Sequence, residues 1–193
     1  STRYLAFGTA GGLFSMSSGD VVTDITPSGY NAGRASAAAN TGFGGSNFGF
    51  DEYGAPRADS GIVLDATTWS LDTWGEYLIG TTSDDGKIYE WQLSALSPAA
   101  AIANAPTDNR SVMVTEERFV FALGAGGNPR LVQWCDREDN TTWTPAATNE
   151  AGDIELQTNG RIMRGVRTRG QALILTDQDC HTASYIGPPY VYG

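Results

Sequence analysis

The segment from Val112 to Pro145 constrains the fold more than any other part of this sequence. Two strand-like runs, Arg118–Leu123 and Arg130–Trp134, flank the turn Gly124-Ala-Gly-Gly-Asn-Pro129, and an acidic, Asn-containing connection then leads to Thr142-Trp143. Alternating apolar residues on either side of a Gly/Asn/Pro turn predict an antiparallel hairpin. The unit recurs loosely on both sides. Glu76–Ile79 with Ile88–Trp91 lies before it, and Gln171–Ile174 with Ala183–Ile186 lies after it. Trp91 and Trp134 are 43 residues apart, and Trp134 and Tyr185 are 51 apart. The stretch Tyr4–Phe7 with Leu13-Phe14 offers a fourth, N-terminal version.

A period of about 40–50 residues with several short strands per unit is the mark of a β-propeller, in which twisted sheets stack face to face around an axis because one sheet cannot bury both faces alone. A β-sandwich also shows short alternating strands, but the aromatic repeated at one hairpin position favours the propeller. The 24 glycines, 5 Trp, 8 Tyr and 7 Phe agree with an all-β chain rich in turns. The predicted fold is therefore all-β, a propeller-like array of short antiparallel blades with one long Gly- and aromatic-rich loop. Residues 1–27 form a first blade-like meander, 28–60 the loop or arm, and 61–193 three further blade-like repeats belonging to a larger propeller. The chain begins with Ser1 rather than Met and reads as a fragment or a mature chain.

In the N-terminal meander, Arg3–Thr9, Leu13–Met16 and Val21–Thr26 are the predicted strands, and Pro27 ends the ladder. Ser28–Ser60 lacks apolar periodicity and reads as a loop leaving the core. Aromatic anchors dominate interfaces, and long loops carry function. Tyr30, Phe43, Phe48, Phe50 and Tyr53 are therefore the candidate partner contacts. Further on, Ile62–Leu64, Trp69–Trp74 and Ile154–Leu156 are predicted strands, Leu96–Ala105 a connector, and Thr182–Ile186 a strand stopped by Pro188-Pro189.

The formal net charge of −10 argues against a dedicated binder of nucleic-acid backbones, which needs a basic face. Arg161, Arg164, Arg167 and Arg169 form a local basic group, expected to pair with the chain's own carboxylates. Cys135 and Cys180 do not form a CxxC pair, so no zinc site is expected and both are read as buried free thiols. No apolar run is long enough for a membrane span, and no signal-peptide pattern opens the chain.

Residues with catalytic chemistry are sparse. His181 is the only histidine, and there is no Gly-x-Ser-x-Gly elbow, so it is read as structural. Asp136, Glu138 and Asp139 lack the alternating ligands of a calcium loop and read as a solvated turn. Gly124–Gly127 lacks the Lys-Ser/Thr and helix of a phosphate loop. Asp84, Asp85, Asp177 and Asp179 are the carboxylates a glycan-cleaving propeller would need as a pair, and nothing singles out two of them. No catalytic, cofactor-binding or metal-binding residue is assigned.

Asp136–Trp143 resembles a degenerate Asp-box, the Ser-x-Asp-x-Gly-x-Thr-Trp hairpin of sialidase-like propellers; Thr142 and Trp143 match, and Asp136, Glu138 and Asn140 replace the other three positions. In that family the box is a folding element away from the catalytic centre. Taken as ordered phrases, the whole chain resembles a structural tail protein of tailed bacteriophages. The phrases are Gly8–Phe14 leading to Thr23–Pro27, Trp69–Glu76 with Ile88–Trp91, Glu117–Phe121, Trp134 to Trp143, and Tyr185–Pro189. The resemblance spans nearly the whole chain and rests on phrases, not on a catalytic signature. It implies a propeller-containing, non-enzymatic subunit near the tail tip, similar to the nozzle of short-tailed phages.

On that resemblance the expected location is the virion tail. The expected partners are copies of the chain in a ring, other tail or connector proteins, and genomic DNA passing without specific binding. The negative charge would suit a channel lining that lets DNA slide. The competing readings are a receptor- or glycan-binding propeller stacking sugars on Trp69, Trp74 or Trp143, and a glycan-cleaving propeller enzyme.

Overall fold

A computed structural model describes residues 3–37, 65–94 and 96–193. Among them there is no α-helix, and the chain is all-β, built of several small antiparallel sheets. The first sheet is a meander of β1 (Tyr4–Thr9), β2 (Gly12–Ser17) and β3 (Val22–Asp24). The second contains β4 (Trp69–Trp74), β5 (Tyr77–Thr82), β6 (Ile88–Trp91) and β7 (Ala100–Ala101), hydrogen-bonded in chain order. The third contains β8 (Ser111–Val114), β9 (Val120–Leu123), β10 (Leu131–Trp134) and β11 (Gly152–Glu155), again in chain order. The fourth is β12 (Ile162–Thr168), β13 (Gln171–Thr176) and β14 (Cys180–Ala183), followed by the hairpin β15 (Tyr185–Gly187) and β16 (Val191–Tyr192).

Successive sheets stack face to face, and each seam has its own apolar cluster. Leu13 and Ile25 of the first sheet and its exit meet Tyr89, Trp91 and Ala99 of the second. Ile79 and Ile88 meet Val112, Val114, Val120 and Ala122. Met113, Phe121, Leu123 and Trp134 meet Ile162, Ala172 and Ile174. The first strands are neighbours across the later seams, β4 against β8 and β8 against β12.

Small residues make this approach close. A Cβ on Gly165 would lie 2.3 Å from Met113 Sδ, and one on Gly8 would lie 2.2 Å from the Trp69 ring. Gly86, at φ 65°, brings the β5–β6 turn onto the chain entering the third sheet: a Cβ there would lie 2.6 Å from Asp108 Cα.

The recurring tryptophan has a structural basis. Trp91 and Trp134 both end the third strand of a four-stranded sheet, opposite Leu78 and Phe121 respectively. Each indole N–H donates to the backbone just before the fourth strand. Trp91 Nε1 reaches Ser97 O at 3.2 Å, and Trp134 Nε1 reaches Glu150 O at 2.9 Å. A buried indole thus keeps its donor satisfied while its ring fills the seam.

Three expectations need correction. Tyr185 does not occupy the third such position. The chain leaves β13 at Ala183, which pairs with Ala172, and Tyr185 pairs instead with Tyr192 in the last hairpin. Strand β13 starts at Gln171 and offers little beyond that pair, so the predicted strand Thr182–Ile186 is divided at Ser184. The connector Leu96–Ala105 contains an edge strand, Ala100–Ala101, whose methyl groups give no alternation to read. The segment after Pro27 does not leave the core at Ser28. Gly33 N–H donates to Ala10 O at 2.9 Å and Thr67 N–H to Arg34 O at 2.9 Å, so the chain stays on the first two sheets as far as Arg34. The predicted strand Ile62–Leu64 and most of the 28–60 loop lie outside the described residues.

Replacing Gly165 by Val forces side-chain carbons into Met113 and Leu123. We expect a loss of about 1–3 kcal/mol, the usual cost of overpacking, measured as a lower urea midpoint with an unchanged m-value.

Candidate functional site

The groups that can act chemically lie on seams and turns, and most are committed to the fold. β8 is the edge strand of the third sheet, so alternate backbone groups point away from β9 and need partners. Strand β4 supplies them. Ser70 Oγ donates to Val112 O at 2.8 Å and accepts Val112 N–H at 3.2 Å, and Asp72 Oδ2 accepts Val114 N–H at 2.7 Å. Beside these groups, β4, β8 and β12 enclose an open groove of about 230 Å³ lined by Ser70, Asp72, Arg164 and Arg167. A larger open groove of about 430 Å³ lies along β6 and β7. Its Glu90 and Asn140 are hydrogen-bonded to each other, which leaves no converging acid and base.

Of the four clustered arginines, Arg161 pairs with Asp177 at 3.5 Å. Among the described residues no carboxylate lies within 4.0 Å of Arg164, Arg167 or Arg169. The expected pairing therefore holds for one arginine. Asp179, the next carboxylate along the chain, is held in the β13–β14 turn by the hydroxyls of Thr158 and Thr176.

The acidic turn after Trp134 is closed on itself. Asp139 Oδ1 accepts Thr141 N–H at 2.9 Å and its hydroxyl at 2.6 Å, and Asp139 Oδ2 accepts the Thr142 hydroxyl at 2.8 Å. The Thr141 hydroxyl, then its N–H and the Thr142 hydroxyl, hold the Asp139 carboxyl below the usual carboxylate range. Asp136 Oδ1 accepts Glu150 N–H at 2.8 Å, joining the turn to the strand that follows. Trp143 is 2 % exposed and donates to Asn140 O at 2.6 Å. The turn inserts an indole into the seam between the second and third sheets.

This burial removes Trp143 as a sugar-stacking surface. Trp69 is half-buried over Gly8 and donates to Thr9 O at 2.8 Å. Trp74 is half-buried beneath the Arg118 guanidinium, 5.2 Å from the ring centroid. Alternating strand residues need only one solvated face, but here both faces of the second sheet are covered.

Of the candidate partner contacts, Tyr30 lies in the first seam. Its ring is 5.5 Å from that of Trp69, and its hydroxyl donates to Ala10 O at 3.2 Å. Asp85 anchors the same region: its carboxylate is buried and accepts from the Tyr89 hydroxyl, from Lys87 Nζ at 3.2 Å and from Asn31 Nδ2 at 3.1 Å. Burial, then the hydrogen bond to Asp85, pushes the Tyr89 hydroxyl far up. Phe43, Phe48, Phe50 and Tyr53 lie outside the described residues.

Asp84 accepts from the Thr67 hydroxyl, and Asp179 accepts from Thr176 and from Thr158 at 2.7 Å. His181 Nε2 lies 3.2 Å from Asp179 Oδ1, its only side-chain hydrogen-bond partner among the described residues. The Thr176 hydroxyl, followed by that of Thr158, keeps Asp179 below its ordinary range. These carboxylates cap turns, and sequence spacing alone gave no sign of their threonine partners.

Of the two cysteines expected to be buried free thiols, only Cys180 differs from expectation. Cys135 is fully buried and its thiol is pushed up to about 12 by burial, whereas Cys180 is exposed; both are free. Cys180 faces Leu175 on the outer face of the fourth sheet, which nothing described covers. Among the described residues no helix is long and apolar enough to cross a membrane, and no group of three or more His, Cys, Asp or Glu side chains is placed to hold a metal ion. Comparison with protein-family models, curated proteins and solved structures gave no match.

Two measurements check this site. Asp139, Asp24 and Asp179 have depressed folded-state pKa values, so their contribution is fully present above the ordinary carboxyl value of about 3.9 and is lost as pH falls through the lower folded values. Asp139→Asn should be less stable than the parent at pH 7, and the gap should narrow at pH 3 by urea denaturation. A thiol reagent at pH 8 should modify Cys180 in the dilute native chain and reach Cys135 only on unfolding.

Proposed function

We propose that this chain is a non-enzymatic structural subunit of a bacteriophage tail, built as part of a β-propeller and assembled as a ring at the nozzle or tail tip around the DNA exit channel. The observation that carries the propeller reading is the stacking order. Each sheet packs on the next in sequence, with β4 beside β8 and β8 beside β12, as blades meet around an axis. The tail assignment rests on the ordered phrases from Gly8–Phe14 to Tyr185–Pro189.

Chemistry at the candidate sites supports a structural role. The carboxylates of Asp72, Asp85, Asp139 and Asp179 are engaged by neighbouring donors of the fold, and the three tryptophans available for sugar stacking sit in seams. In this reading the first strands border the channel. Their charged residues are Asp72, Arg164 and Arg167, a mixed set and not the acidic lining suggested by the net charge. DNA would then pass a surface with few fixed charges of either sign, and sliding would depend on sparse contacts more than on repulsion.

Electron microscopy of particles carrying the chain should reveal a closed ring on the tail. Labelling elsewhere in the particle, or no particle association, would refute the assignment.

A further inference from the structure

We propose that the outer face of the fourth sheet docks on the outer face of the first sheet of a second copy of this chain, head to tail, continuing the stack from one copy into the next. This inference rests on the reading of the chain as a self-assembling subunit and names the surfaces that do the assembling.

Side chains on one strand alternate between the two faces of its sheet. In the first sheet, Tyr4, Ala6, Gly8, Leu13 and Ser15 face the second sheet. Leu5, Phe7, Phe14, Met16 and Val22 face away from it. That outer face is apolar, with Leu5 60 % and Val22 54 % exposed and the Phe7 and Phe14 rings stacked at 5.7 Å. In the fourth sheet, Gly165, Ala172 and Ile174 face the third sheet. Arg164, Val166, Leu173, Leu175, Cys180 and Thr182 face away. Here the outer face is mixed: Val166, 42 % exposed, and the half-covered Leu173 and Leu175 form an apolar centre, with Arg164, Thr168, Gln171 and Thr182 around it.

Three arguments select a second copy in this orientation. Every internal seam joins the rear face of one sheet to the front face of the next, and among the described residues the two faces with no sheet against them are one front and one rear. The proposed contact therefore repeats the relation already used within the chain. Charge selects the same pairing. The outer face of the first sheet carries Asp24 opposite Phe14, and the outer face of the fourth carries Arg164 opposite Leu175, with no carboxylate within 4.0 Å among the described residues. Head-to-tail contact places opposite charges on facing surfaces. A symmetric contact of either face with itself places like charges together, which suppresses wrong pairings. Finally, an interface that joins two different surfaces generates a ring whenever the rotation closes, which is the assembly the function requires.

The test uses the 193-residue chain itself. Sedimentation velocity across a concentration series should show self-association, and Cys180 should lose reactivity towards a thiol reagent as the associated fraction rises, while Cys135 stays unreactive throughout. Arg164→Asp should weaken association by about tenfold, as expected for a charge brought against its like. Asp24→Arg should do the same. Because Asp24 also accepts Thr26 N–H at 2.9 Å, thermal melts must show that this variant is folded. Mixing the two single variants, or combining both changes in one chain, should restore association.

Association that ignores both charge changes and leaves Cys180 reactive would overturn the assignment of these faces while leaving self-assembly standing. A monomer at every concentration would overturn both, and would leave the two faces to sheets of another polypeptide.

Discussion

The structure depends on one condition: the third sheet is apolar on both sides. All four residues of β8 and all four of β9 are buried. Val112, Val114, Val120 and Ala122 supply one face, and Met113, Phe121 and Leu123 the other. Burying one large aliphatic or aromatic side chain contributes about 1.5–3 kcal/mol, so exposure of either face would cost an amount comparable to the net stability of an ordinary domain. The third sheet must therefore lie between two others. The second sheet satisfies one side with Ile79 and Ile88, and the fourth satisfies the other with Ile162 and Ile174. For the second, third and fourth sheets, stacking in chain order follows, because the connections between them are short and the nearest available sheets are the adjacent ones.

This condition explains which parts of the fold could be read from the sequence. Trp69–Trp74 and Ile88–Trp91 were legible because aromatic and branched residues alternate there between defined turns. The spacing of Trp91 and Trp134 was legible for a deeper reason: each indole performs the same task at the end of a third strand, filling a seam and tying the fourth strand by its N–H. Tyr185 fell near the same interval but performs another task. It joins Phe119, Tyr192 and their neighbours in an aromatic cluster at the end of the third seam. Periodicity locates an aromatic residue, but strand pairing decides what it packs against.

What stayed hidden was pairing between distant side chains and backbone. No local pattern links Ser70 to Val112 or Asn31 to Asp85. The same holds for the threonines that hold Asp139 and Asp179. Thr158 is 21 residues from Asp179; the others are close in sequence, but a Thr beside an Asp is too common to signal a carboxylate saturated by hydroxyls. The excess of acidic residues is therefore in part a feature of the turns. Several of them stabilise turns by accepting hydrogen bonds in the ionised form, a local role that needs no external partner. The buried Trp143 and exposed Cys180 reversed their expected positions because burial here is set by which face has a neighbouring sheet, and a residue's own hydropathy does not encode that.

A stack in which each internal sheet buries two faces necessarily has two end faces that the same chain cannot bury against each other unless the stack closes. A sheet whose outer face is meant for water alternates polar residues outward. The described end sheets depart from that rule in a particular way. On the first, Leu5, Phe7, Phe14 and Met16 stand where polar residues would serve a solvated surface. On the fourth, Val166, Leu173 and Leu175 do the same. Scattered exposed apolar residues on a protein surface need no explanation, but contiguous ones across paired strands do. The pattern inside the chain supplies it. Among the described residues no sheet faces these apolar patches, so the forces that order the four sheets act on whatever sheet meets the stack at either end.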